Sequence, residues 1–347
     1  MNIWDEAIAK LRNTMPLLES YKEGVFIQQS KTEVISRYQP LFSKPETLSW
    51  EDFESFLYFK NNKHWTSLYR QKRRLEARFN ALRDALALLS NDEQPIEDRL
   101  NQLMQKGSPY NISGFGKGLM TAILFVVSPD KYGVWNGTSE NGMKILGLFP
   151  GFERGEKFGS RYTKFNEVLL GLAKELEVDL WTLDTLWYML TKDTQELEIE
   201  VEERVNAQSV EHRFGLERHL QEFLIDHWDS LPLAKKWTIL EEDGDLTGFE
   251  YRTDIGRIDL LAQSRKGLGW LVIELKRGQT EDKTVGQVQR YMGWVKRNLA
   301  DDETPVKGLI ICFEATDKLH YALDILPKGL IEVMEYGVNF YLKPTSH

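Results

Sequence analysis

The chain has 347 residues, 41% of them apolar and 28% charged, and a formal net charge of −9. That length suits about two domains, with a core large enough to fold without staples. The single cysteine, Cys312, excludes an internal disulfide framework and a Cys-rich zinc site. Its setting in the apolar run 308–313 marks it as a small buried hydrophobe. The longest apolar stretch, 119–127, is too short for a bilayer, and the first residues hold no apolar leader. A cytoplasmic protein with no membrane contact is expected.

Residues 1–195 read as a mainly helical domain. Leu75, Phe79, Leu82 and Leu86 mark one apolar helix face, and Leu169, Leu172, Leu176 and Leu180 a second. Trp50, Trp65, Trp135, Trp181 and Trp187 are expected to fill its core. Arg70-Gln71-Lys72-Arg73-Arg74, with Arg78 a turn later, sets cations on a helix whose other face is apolar. Arg73 and Arg74 are candidate grips for DNA phosphates, with a merely solvated face as the plain alternative. Further along, Ile112-Ser113-Gly114-Phe115-Gly116-Lys117 precedes a helical run and fits a helix-hairpin-helix turn over 112–127. Such a turn offers backbone N–H groups to a phosphate, which makes Gly114, Gly116 and Lys117 candidate DNA contacts, with a simple Gly-rich helix start as the plain alternative.

Carboxylates crowd together at Asp193, Glu196, Glu198, Glu200, Glu202 and Glu203, so 196–209 reads as an acidic linker. Residues 210–347 then alternate element types. A helix is expected over 214–228, short strands over 237–240 and 249–252, and stronger strands over 257–262 and 270–276. A helix over 284–299, a buried strand over 306–313, a short helix over 319–326 and one or two strands within 333–342 follow. This order predicts an α+β two-domain chain whose C-terminal part is an α/β domain with a mixed central sheet.

Chemistry concentrates in two of those strands. Alternation puts Val272, Glu274 and Lys276 on one face and Leu271, Ile273 and Leu275 on the other. A charged pair ending an apolar strand is costly unless it is paired or binds something. Asp259 interrupts the preceding strand in the same way, and a hairpin would bring it beside Glu274. Two close carboxylates repel, and a hard divalent cation removes that penalty. The ammonium of Lys276 can then orient a nucleophile or stabilise developing charge. Gln287, Tyr291 and Trp294 share a helix face that can complete the site, and Glu217 can add a carboxylate. A surface salt bridge Glu274–Lys276, with Asp259 as a turn residue, is the plain alternative. His212 and His219 lie on one helix face without a third ligand, so zinc is not expected.

The set Glu217, Gly256-Arg257-Ile258-Asp259-Leu260-Leu261, Ile273-Glu274-Leu275-Lys276 and Gln287-Val288-Gln289-Arg290-Tyr291 resembles the PD-(D/E)XK nuclease superfamily, and within it the catalytic domain of the NucS/EndoMS endonucleases. The likeness covers about residues 210–345. Ile258 stands where the superfamily has its proline. The resemblance implies a restriction-endonuclease-like fold, Mg²⁺ or Mn²⁺ on Asp259 and Glu274, a catalytic Lys276, and Glu217 and Gln287 as supporting residues. Tyr291 is a candidate DNA contact beside them. The N-terminal part does not resemble that of NucS, so mismatch specificity is not implied. It resembles instead the helix-hairpin-helix DNA glycosylases, with Asn136 where their catalytic Asp stands.

A Mg²⁺-dependent DNA endonuclease is therefore expected, suited to repair, restriction or phage defence alike. A homodimer would suit a double-strand cut. A non-catalytic DNA reader with a decayed nuclease fold, or a base-excision enzyme working through the first domain, are the alternatives.

Overall fold

The computed structural model describes residues 2–20, 22–65, 68–191, 220–221, 223–267, 269–280 and 282–337. They fall into two compact units, Met1–Val201 with Glu242–Asp245, and Glu202–Glu241 with Leu246–His347. No helix among the described residues is long and apolar enough to cross a membrane.

The first unit is helical. Its helices are α1 (Ile3–Thr14), α2 (Leu17–Ser20), α3 (Lys22–Phe42), α4 (Trp50–Leu57), α5 (Phe59–Asn62), α6 (Lys72–Glu76), α7 (Phe79–Leu89), α8 (Ile96–Met104), α9 (Lys117–Val127), α10 (Gly137–Ile145), α11 (Phe158–Leu176) and α12 (Leu180–Thr191). The core holds Trp65, Trp135, Trp181 and Trp187 as expected, whereas Trp50 packs at its edge. Both expected apolar faces are broken in two. The chain leaves helical geometry at Arg78 (φ −128°, ψ 25°), so Leu75 belongs to α6 while Phe79 begins α7 and meets Trp50 edge-on at 5.4 Å. Glu177 is left-handed (φ 56°) and closes α11, so Leu180 opens the next helix. Asn62 shows how the loops are pinned. It is fully buried, donates to the carbonyls of Phe56 (2.9 Å) and Trp65 (3.0 Å), and accepts from the N–H groups of His64 (2.9 Å) and Trp65 (2.7 Å). Every polar valence of that amide is satisfied, which is what permits its burial.

The second unit is built on a mixed sheet of β1 (Trp237–Ile239), β2 (Phe249–Thr253), β3 (Gly256–Ser264), β4 (Trp270–Thr280), β5 (Val306–Ala315) and β6 (Ile331–Glu335). The order is β1-β3-β4-β5-β6, with β2 also paired to β3. β3 runs antiparallel to β1, β2 and β4, while β4–β5 and β5–β6 are parallel. The parallel pairs need crossovers, and helices supply them: α13 (Lys283–Asn298) joins β4 to β5, and α14 (Asp317–Asp324) joins β5 to β6. Alternation along β4 is as expected. Val272 packs with Val285, Val288 and Val295 of α13, whereas Leu271, Ile273 and Leu275 pack with Leu224 and Trp228. Cys312 is buried opposite Lys276.

Strand β4 runs four residues beyond the expected end, with a register shift against β5 between Lys276 and Gln279. The described residues within 220–227 are helical and lead into a 3₁₀ turn, Trp228–Ser230. Of the segment expected within 333–342, residues 338–342 lie outside the described residues, as do His212, His219 and the acidic stretch 196–209.

Candidate active site

The antiparallel ladder between β3 and β4 pairs Leu260 with Ile273 and Leu261 with Val272. The same register carries Asp259 to the side of Glu274. At that point the ladder opens. Asp259 Oδ2 accepts the backbone N–H of Leu275 at 2.8 Å, so the aspartate replaces a main-chain carbonyl and is held across the strand gap.

Glu274 is 2% exposed. Its Oε1 accepts two short hydrogen bonds, from Lys276 Nζ at 2.6 Å and from Gln287 Nε2 at 2.6 Å. Burying a carboxylate is expensive, and one ammonium and one amide offset that cost. The Lys276 side chain keeps 30% exposure, so its charge reaches solvent while its neighbour's does not. Glu274, Lys276 and Gln287 thus meet, and Asp259 is fastened to the backbone of Leu275 beside them. Glu217 lies outside the described residues.

The donor set is two carboxylates from adjacent strands, which are hard oxygen ligands of the kind Mg²⁺ and Mn²⁺ take. Among the described residues no group of three or more His, Cys, Asp or Glu converges for a metal. Asp259 and Glu274 would hold the ion as a pair, with further ligands from water or substrate, as Mg²⁺ usually keeps.

Helix α13 braces this geometry. Gln287, Tyr291 and Trp294 share a face, and all three reach the β2–β4 region. Tyr291 is 5% exposed and belongs to the core, which corrects its expected role as a DNA contact. Its hydroxyl lies under Gly256, where an added Cβ would stand 2.7 Å away, and Gly256 has φ +130°, a conformation only glycine adopts readily. Trp294 Nε1 donates to Asp254 Oδ1 and stacks edge-on with Tyr251 at 6.0 Å. Sequence reasoning placed Trp294 on this face but missed its partner Asp254. The only clue was the Thr253-Asp254-Ile255-Gly256 turn just ahead of the Asp259 strand.

Residues 216–327 match the family described as the Endonuclease NucS C-terminal domain. The second unit therefore carries a NucS-like nuclease domain. Two relatives called Endonuclease NucS, from Mycobacterium marinum (strain ATCC BAA-535 / M) and Mycobacterium ulcerans (strain Agy99), are each 32% identical to this chain over 124 residues. That stretch is 36% of this chain and 53% and 52% of theirs, so the chain spans about half the length of the curated relatives it matches. Among solved structures, a repair endonuclease from Pyrococcus abyssi aligns at 18% identity, over 35% of this chain and 46% of that one, with a TM-score of 0.28. An EndoMS–dsDNA complex aligns at 20%, over 36% and 46%, also with a TM-score of 0.28. Asp259, Glu274, Lys276 and Gln287 all fall inside the NucS-like stretch.

The DNA contacts expected outside the NucS-like domain fare unevenly. Gly114 (φ +87°) takes the third position of a turn closed by Phe115 N–H on Ile112 O at 2.9 Å, and an added Cβ would crowd Gln71 and Arg74. Gly116 precedes α9 in an extended conformation. Lys117 is no phosphate contact: it is 6% exposed and ion-paired to Glu140 at 3.0 Å, over the Trp135 ring. Burial opposes its charge most strongly, but the carboxylates of Glu140, Asp245 and Asp243 together outweigh it and hold the ammonium above its ordinary pKa. Burial likewise pushes Glu140 upward, and Lys117 and Lys144 overcome it, holding that carboxyl at about 2.

Asn136 caps α10 by accepting from the N–H groups of Thr138 (2.8 Å) and Ser139 (3.0 Å). A lysine held protonated and an amide spent on a cap offer no nucleophile and no base, which argues against base excision by this unit. The cations at 70–78 sit on a 3₁₀ turn (Leu68–Gln71), on α6 and at the break at Arg78, rather than on one helix. Arg73 and Arg78 are exposed and Arg74 half-buried.

Proposed function

We propose that this protein is a metal-dependent DNA endonuclease acting in DNA repair, with the NucS-like domain hydrolysing the phosphodiester and residues 1–195 selecting the DNA. The observation that supports this is the Lys276 ammonium 2.6 Å from Glu274, with Asp259 bound to the Leu275 N–H next along the same strand. When bound, Mg²⁺ or Mn²⁺ would lower the pKa of an attacking water and polarise the phosphoryl oxygen. Asp259 and Glu274 bring the negative charge that attracts the ion. Lys276 neutralises Glu274 until then, and its solvent-reaching ammonium is placed to hold a water or phosphate oxygen. Gln287 fixes the Glu274 rotamer, so little reorganisation is left for the reaction itself.

The first unit would add affinity. Residues 58–78 carry seven Lys or Arg (Lys60, Lys63, Arg70, Lys72, Arg73, Arg74, Arg78) against Glu76 alone, in a chain whose net charge is −9. A local excess of that size attracts phosphates despite the acidic remainder. The same chemistry serves restriction or phage defence, and the DNA structure cleaved decides among these roles.

A cleavage panel tests the proposal. Mismatched, branched, modified and single-stranded DNA are each incubated with the full chain in Mg²⁺, Mn²⁺ or EDTA. Cutting in metal, lost in EDTA and in Glu274→Ala, Asp259→Ala and Lys276→Ala, is expected. Undiminished cutting by purified Glu274→Ala overturns the site. Binding without cleavage in either metal would make the protein a DNA reader.

A further inference from the structure

The hairpin between β2 and β3 has no role in the site described so far. It pairs Arg252 directly opposite Arg257, and Thr253 opposite Gly256, so Asp254 and Ile255 form its tip. Both arginines are exposed, and Ile255 is 40% exposed, an apolar side chain at a solvent-facing tip. Like charges placed directly across a ladder repel and destabilise the pair. Arg257 is partly relieved by Glu250 at 3.4 Å. Arg252 makes no ion pair or side-chain hydrogen bond among the described residues. Asp254, which could have neutralised it, is bound to Trp294 instead.

The hairpin is also held still. Tyr291 packs under Gly256 and Trp294 holds Asp254, from the same face of α13 whose Gln287 touches Glu274. Arg257 stands two residues from Asp259, about 7 Å along the strand. A rigid finger with two outward guanidiniums and an apolar tip, beside a phosphodiester-cutting site, matches a sugar–phosphate backbone in charge and shape.

We infer that the β2–β3 hairpin is a DNA grip: Arg252 and Arg257 bind backbone phosphates flanking the one to be cut, and Ile255 packs against sugar or base edges. This rests on the nuclease reading above. The grip orders the substrate before metal chemistry begins, so it contributes to binding with the metal removed.

The test uses the full chain and a fluorescein-labelled DNA duplex that the wild type cuts, titrated in EDTA over a range of salt. Arg252→Gln/Arg257→Gln should bind about tenfold more weakly near physiological salt, with a log K against log[salt] slope shallower by about 2. Ile255→Ser should weaken binding with the slope unchanged, because it releases no counterions. Thermal melts check folding, and Arg252→Gln alone, which breaks no ion pair or side-chain hydrogen bond among the described residues, is the decisive variant should the double variant unfold. Unaltered affinity and slope in Arg252→Gln overturns the inference while leaving the nuclease reading intact if the wild type cuts. A wild type that neither binds nor cuts DNA brings both down.

Discussion

Gln287, just past the first turn of α13, donates its amide to the Glu274 oxygen that Lys276 also grips, each at 2.6 Å. One carboxylate oxygen is thereby fixed from two elements. Gln287→Ala should lower cleavage about 10–100-fold and raise the Mg²⁺ concentration needed, the usual effect of losing a residue that orients a metal ligand. Rates measured across a Mg²⁺ titration check this, and a wild-type curve would remove Gln287 from the site.

Lys276 has two expected roles, which separate by metal. In metal-free protein it offsets the buried Glu274 charge, so Lys276→Met should destabilise the NucS-like domain by about 1–3 kcal/mol, discounted because the lysine is partly exposed. Added Mn²⁺ should restore part of that stability without restoring cutting. Thermal melts with and without Mn²⁺, alongside a cleavage assay, distinguish this from a lysine that only holds the fold.

Gly256→Ala should cost about 1–3 kcal/mol. Two causes combine, the φ of +130° and the Tyr291 hydroxyl 2.7 Å from the new methyl. Tyr291→Phe in the same chain removes the second cause and should recover part of the loss. Equal melting temperatures for wild type and Gly256→Ala would show the turn to be relaxed.

The Glu140–Lys117 pair sets an acid limit on the helical unit. The unfolded Glu140 carboxyl titrates near 4.5 and the folded one at about 2. Between those values the unfolded chain holds more protons, so the contribution is complete above pH 4.5 and is lost as pH falls toward 2. It amounts to about 2–3 kcal/mol after allowing for partial exposure. Glu140→Gln should be less stable at neutral pH and should lose this part of the acid dependence, measured by urea unfolding at several pH values.

Much of the NucS-like domain was readable before folding because its signals are local. Period-two alternation set the faces of β4, and the spacing from Gly256 to Asp259 to Glu274 placed both carboxylates on neighbouring strands. The 3.6 periodicity set the Gln287 face of α13. What failed depended on tertiary packing. Lys117 looks in sequence like a phosphate contact, and its pairing with Glu140 over the Trp135 ring is what takes it out of solvent. Tyr291 reads as an amphipathic helix residue, and only the close passage of Gly256 buries its role. The leucines at 75–86 keep helical spacing across a break at Arg78 that periodicity cannot register. The Arg252–Arg257 opposition required knowing which residues the hairpin brings face to face.

The single face of α13 that carries Gln287, Tyr291 and Trp294 acts as a splint across the acidic centre and the arginine finger. Neither can drift independently of the other, because both are fastened to the same rod. A substitution that rolled this helix would blunt cutting and holding in one stroke, so the two properties should decay together in damaged variants and should be redesigned as a block.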